Sequence, residues 1–170
     1  MKKLFLFYLL LSGLTAMAQD VMFLENFDDN FRAWSTIDNE NYSTEISDGH
    51  YLISHKRESG SWYFWNGFNV DENKDFTIIA KIQQTDGIID NGYGLVWGSK
   101  NVDNSYKIAI SSNGYVKVVK NDNGNYEEFL KWKKVKIINP KGEYNIIKLV
   151  KKGKTLTFYV NDAKVYKMKN

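Results

Sequence analysis

The chain predicts an all-β fold, a two-sheet antiparallel β-sandwich of the jelly-roll kind, from three observations. β-Branched residues dominate: after the first 18 residues, Ile and Val together number 25, whereas Leu and Ala together number ten. Such side chains are stiff at χ1 and pack well on a pleated surface, while Ala and Leu favour helix. Apolar and polar residues alternate in many short segments, the period of a half-buried strand. Asn- and Gly-rich connectors separate these segments, and the chain holds a single Pro, a composition suited to strands joined by tight turns.

The first element is read as a leader. Lys2 and Lys3 precede an unbroken apolar run over residues 4–11, and Ala16-Met17-Ala18 fits the small-x-small pattern of a cleavage site. A signal peptide over residues 1–18 is therefore expected, leaving Gln19 as the new N-terminus. The run is too short for a bilayer span, which needs roughly 20 apolar residues. The absence of Cys excludes a lipoprotein anchor, and no second long apolar run follows. The mature chain is expected to be secreted or periplasmic, with no transmembrane segment.

One domain is expected over residues 19–170, a length that buries one substantial core. Its predicted strands cover residues 21–27, 42–46, 51–54, 62–68, 76–84, 93–97, 106–111, 115–120, 136–138, 144–150, 156–161 and 164–166. The clearest alternations place Ile108 with Ile110, and Leu156 with Phe158 and Val160, on core faces. Asn113-Gly114, Asn123-Gly124, Lys152-Gly153 and Asn161-Asp162 are hairpin signals, because Asn and Gly tolerate positive φ. No segment combines helical periodicity with caps.

Charge argues against nucleic acid. The chain carries 23 basic and 20 acidic residues, and the leader takes two of the basic ones and none of the acidic ones, leaving +1. The basic run over residues 131–136 contains Trp132 and Val135 and reads as the solvated face of a strand. Without Cys, the core must hold the domain with no disulfide.

Catalytic signatures are sparse: the chain has no Cys nucleophile, no G-x-S-x-G elbow and no His-rich metal motif. His50 and His55, five apart on or beside a strand, point to opposite faces and do not share a metal. A glycosidase pair needs two carboxyls about 5 Å apart, or roughly 6.5–9.5 Å for inversion, and no predicted central strand spaces its acids that way. Glu25 stands alone in the first strand. Asp28 and Asp29, with Asn30, are candidate Ca²⁺ ligands by oxygen chemistry, or else a solvated turn. Asp86, Asp90 and Asn91 around Gly87 offer the same two readings.

Aromatic residues supply the stronger lead. After residue 18 the chain has five Trp and ten Tyr, and Trp62-Tyr63-Phe64-Trp65 gathers four rings. Alternation sets Trp62 with Phe64 on one face and Tyr63 with Trp65 on the other. Rings that face outward stack on the apolar faces of sugars, whereas inward ones fill the core. Tyr63, Trp65, Trp97 and Trp132 are the candidate ligand-binding residues. Trp97 lies between Gly94 and Gly98, where a ligand or another backbone can approach closely.

Four stretches together resemble a known superfamily. Phe23-Leu24-Glu25-Asn26-Phe27-Asp28-Asp29-Asn30, followed by Trp34, resembles the opening of secreted bacterial concanavalin A-like lectin/glucanase domains, of the LamG-like and 3-keto-disaccharide hydrolase-like kind. Gly92-Tyr93-Gly94-Leu95-Val96-Trp97-Gly98 is similar to their central strand, and NSYKIAISSNG (residues 104–114) to the next hairpin. N-x-x-x-L…G-x-x-L-x-F-Y-V-N, within residues 142–165, is similar to the closing strands. The resemblance implies a jelly roll with a concave, glycan-receiving face. Some relatives hydrolyse glycosides, but the E-x-D-x-x-E signature of family 16 is absent, so no catalytic residue carries over. The expected function is noncatalytic, lectin-like carbohydrate binding with a glycan partner. A divergent glycoside hydrolase and a protein-interaction scaffold are the alternatives.

Overall fold

The computed structural model describes residues 21–71, 73–101 and 103–169. Among them run the strands β1 (Ile37–Asp38), β2 (Tyr42–Ser47), β3 (His50–His55), β4 (Phe76–Gln83), β5 (Tyr93–Asn101), β6 (Asn104–Ser111), β7 (Tyr115–Asp122), β8 (Asn125–Lys134), β9 (Tyr144–Lys152), β10 (Thr155–Val160) and β11 (Ala163–Lys169). The described residues contain no helix, and so none long and apolar enough to cross a membrane. The residues read as a leader, 1–18, lie outside the described part.

Every strand pairing is antiparallel. The order β11-β10-β9-β4 forms one four-stranded sheet and β5-β6-β7-β8 another, while β1-β2-β3 is a smaller third ladder beyond the two-sheet expectation. The chain leaves the first sheet after β4, builds the second as a meander, and returns with β9 beside β4.

The core lies between the two four-stranded sheets. β6 and β7 contribute Ile108, Ile110, Val116 and Val118; β9 and β10 contribute Ile147, Leu149, Leu156, Phe158 and Val160. Along β10 burial alternates residue by residue, as period two requires. The core faces predicted for Ile108, Ile110, Leu156 and Phe158 hold: all four are buried. Tight turns fix the register. Asn123 and Gly124 have φ of 49° and 78°, and Asn161 and Asp162 have 47° and 63°, the double positive φ of a two-residue hairpin loop. Asp48-Gly49 does the same between β2 and β3.

Three predicted strands are corrected. Residues 21–27, 62–68 and 136–138 join no ladder. In the first, Glu25 instead ties a loop, accepting from Phe27 N at 3.0 Å and Trp34 Nε1 at 2.9 Å. In the last, the Ile137 carbonyl accepts from the Asn161 side chain at 2.7 Å, so its backbone bonds go to an amide group rather than to a neighbouring strand. β8, like the two-residue β1, is a strand that the pattern concealed. It is an edge strand whose pairing with β7 shifts register between Val116 and Val119, and such bulges break the apolar alternation. The basic run does begin on this strand, with residues 131–134 exposed.

Candidate functional site

The segment holding Trp62 to Trp65 is extended without being a ladder strand, and its alternation survives. Trp62 and Phe64 turn towards the β2–β3 hairpin, where Tyr42 meets them at ring-centroid distances of 4.8 and 5.1 Å. Tyr51 joins Phe64 at 6.4 Å and Trp34 at 5.1 Å. These contacts form a second aromatic cluster outside the sandwich core. They hold the segment by ring packing, each pair contributing about 0.5–1.5 kcal/mol beyond its buried area.

A cleft of ≈ 240 Å³ opens beside this cluster, lined by Ser35, Ile37, Tyr42, Tyr51, Tyr63, Phe64 and Trp65. Trp65 is its most open ring, 52% exposed. The Ser35 carbonyl accepts from Tyr51 Oη at 2.7 Å and Thr44 Oγ1 at 2.8 Å, which fixes the wall that carries Tyr51. The cleft therefore offers ring faces at fixed angles, with the Tyr51 hydroxyl held by the Ser35 carbonyl. Tyr42 and Tyr51 were missing from the sequence-derived candidates. The signal was present in the Asp48-Gly49 turn, whose register pairs Tyr42 with His55 and Ile46 with Tyr51 and so sets both tyrosines on one face.

Tyr63 reaches the second sheet. Its ring lies under the Lys107 ammonium, 4.0 Å from the centroid, a cation–π arrangement. On that outer face Lys117 places its ammonium 4.8 Å from the Trp132 ring and 5.9 Å from that of Tyr126. Trp132 is 40% exposed and lines a second cleft of ≈ 210 Å³ with Asp90, Ser111, Asn113 and Tyr115. Its indole overlies Gly92, where a Cβ would sit only 3.0 Å from Cη2. On the opposite face of β7, Lys120 donates to Asp122 at 2.6 Å, and this hydrogen bond raises the lysine pKa above its ordinary value.

The outward placement of Trp97 is corrected. It is 9% exposed, with its ring centroid 5.4 Å from that of Tyr106 and 5.3 Å from that of Phe158 of the facing sheet. The glycine beside it serves a backbone approach rather than a ligand: a Cβ on Gly94 would lie 2.0 Å from the Ile108 carbonyl oxygen. Asp28 and Asp29 have local roles. Asp28 accepts from the Asn26 amide, and Asp29 from Phe31 N at 2.8 Å. Among the described residues no group of three or more His, Cys, Asp or Glu side chains could hold a metal ion. His50 and His55 go separate ways, His50 to Tyr144 Oη at 2.8 Å and His55 to the Trp62 ring at 6.2 Å.

No protein-family model matches this chain, and no curated protein matches it. Among solved structures, the chain is similar to the carbohydrate binding module CBM66 from Bacillus subtilis, at 20% identity and a TM-score of 0.47, over 81% of this chain and 74% of that one.

Proposed function

We propose that this chain is an exported, noncatalytic carbohydrate-binding module, one domain over residues 19–170 once a signal peptide at residues 1–18 is removed. We assign it to the concanavalin A-like lectin/glucanase group on the four motifs quoted above. The observation that carries the functional reading is the cleft walled by Tyr42, Tyr51, Tyr63, Phe64 and Trp65. Pyranose rings present C–H faces that stack on such side chains, while phenol groups bond their hydroxyls. The walls are held by ring packing and by the Ser35 carbonyl before any ligand arrives, which lowers the ordering cost of binding. A glycan array probed with the purified protein, with and without Ca²⁺, tests the proposal. Retention of a defined set of oligosaccharides, weakened by Trp65→Ala, is the expected result. Retention of none, or binding indifferent to Trp65, would overturn it.

A further inference from the structure

The outer face of the β5–β8 sheet carries two lysines whose surroundings the core does not explain. Register sets Gly94, Ala109 and Lys117 in one row of that face, and Val96, Lys107 and Val119 in the next. Lys107 and Lys117 are thus diagonal neighbours, roughly 7–8 Å apart by the ordinary spacing of a sheet, where like charges are unfavourable. Both are half-buried. Among the described residues, Glu128 lies across from Val119 and Asp90 lines the Trp132 cleft. Neither forms an ion pair with Lys107 or Lys117, although other described lysines such as Lys120 and Lys148 have carboxylate partners at 2.6 Å.

Lysines on an edge strand guard against strand addition, and that role accounts for Lys131, Lys133 and Lys134 of β8. It does not account for Lys107 and Lys117, which stand on the interior strands β6 and β7. Their ammonium groups rest on rings instead: Lys107 on Tyr63, and Lys117 on Trp132, with Tyr126 Oη 3.4 Å from it. Tyr63 also lines the Trp65 cleft. Tyr63 thus joins the Trp65 cleft to Lys107, and Lys117 stands diagonal to Lys107 beside Trp132 and Tyr126.

We propose that this surface binds an anionic polysaccharide, whose sugar rings stack on Trp65 and Trp132 while acidic substituents meet Lys107 and Lys117. The proposal rests on the carbohydrate reading and names its ligand class: a glycan bearing carboxylate or sulfate. A nucleic acid fits less well, because a phosphate backbone is met by an extended basic surface, whereas here two lysines lie against aromatic rings.

Titration calorimetry with polygalacturonate, dextran sulfate, neutral dextran and oligodeoxythymidylate tests it. At least one of the two acidic polymers is expected to bind more tightly than dextran, with an affinity that falls as salt rises. Polygalacturonate and dextran sulfate between them distinguish a carboxylate from a sulfate ligand. Lys117→Gln and Lys107→Gln should each weaken that binding about tenfold, the scale of one charge-assisted contact. Lys117→Arg should retain it, and Lys167→Gln on β11 should leave it unchanged, each with an unaltered melting temperature. Dextran bound as tightly as both acidic polymers would overturn the acidic preference and leave carbohydrate binding standing. Failure of every polysaccharide here and of every glycan on the array would overturn both. Equal losses in Lys117→Gln and Lys167→Gln, or oligodeoxythymidylate binding as tightly as the acidic glycan, would also overturn the proposal.

Discussion

The Oδ1 atom of Asn145, fully buried at the start of β9, accepts a 2.8 Å hydrogen bond from Nδ2 of Asn161 in the β10–β11 turn. The same oxygen accepts from Asn139 N at 2.8 Å, and the Asn145 amide donates to the Asn139 carbonyl at 3.2 Å. Asn161 in turn bonds Ile146 N and the Ile137 carbonyl. Two amide side chains thus clamp the returning segment after β8 to the end of the sandwich.

Truncating one member strands the others. Asn145→Ala leaves buried donors unmet and should destabilise by about 2–3 kcal/mol. Urea denaturation measures this, and a loss below about 0.5 kcal/mol would show that water replaces the amide.

The two Gly-flanked and clustered tryptophans should separate cleanly. Trp97→Ala removes a ring packed between Tyr106 and Phe158 and should cost about 3–5 kcal/mol. Trp65→Ala removes a half-exposed ring and should change stability by no more than about 0.5 kcal/mol, while weakening glycan binding about tenfold. Thermal melts paired with calorimetry check both. Equal destabilisation would place Trp65 in the fold rather than in the cleft.

Gly94→Ala tests the close approach of β5 to β6. Its Cβ would fall 2.0 Å from the Ile108 carbonyl oxygen, so the strands must part, at a cost of about 3 kcal/mol or more. Gly124→Ala is the contrasting case, since nothing lies within 4 Å of its Cβ and only positive φ opposes it; about 1 kcal/mol is expected there. Chemical denaturation of the pair gives the ranking, and a Gly94→Ala protein no less stable than Gly124→Ala contradicts it.

Export has its own test. The proposed cleavage after Ala18 predicts that mass spectrometry of periplasmic or secreted material finds a chain beginning at Gln19. Intact Met1 protein held in the membrane fraction is the opposing result.

The amino-acid sequence by itself determined what depends on near neighbours. Period-two alternation in β6, β9 and β10 marks strands because successive side chains must leave a pleat on opposite sides. The Asn123-Gly124 and Asn161-Asp162 loops follow from a backbone that needs positive φ twice in succession. The aromatic weight of Trp62 to Trp65, and the opposed faces within it, were visible for the same reason. Tertiary structure decided which face is inside. Trp97 and Trp132 both sit on strands of one sheet, yet the facing sheet covers Trp97 and leaves Trp132 open, and a strand's two faces are equivalent until a second layer takes one of them. It also decided the company each residue keeps: Tyr42 and Tyr51 line one cleft with Trp65 from a separate hairpin, and Tyr63 of a loop lies against Lys107 of β6. Such proximities arise from contacts distant along the chain, and no local pattern encodes them.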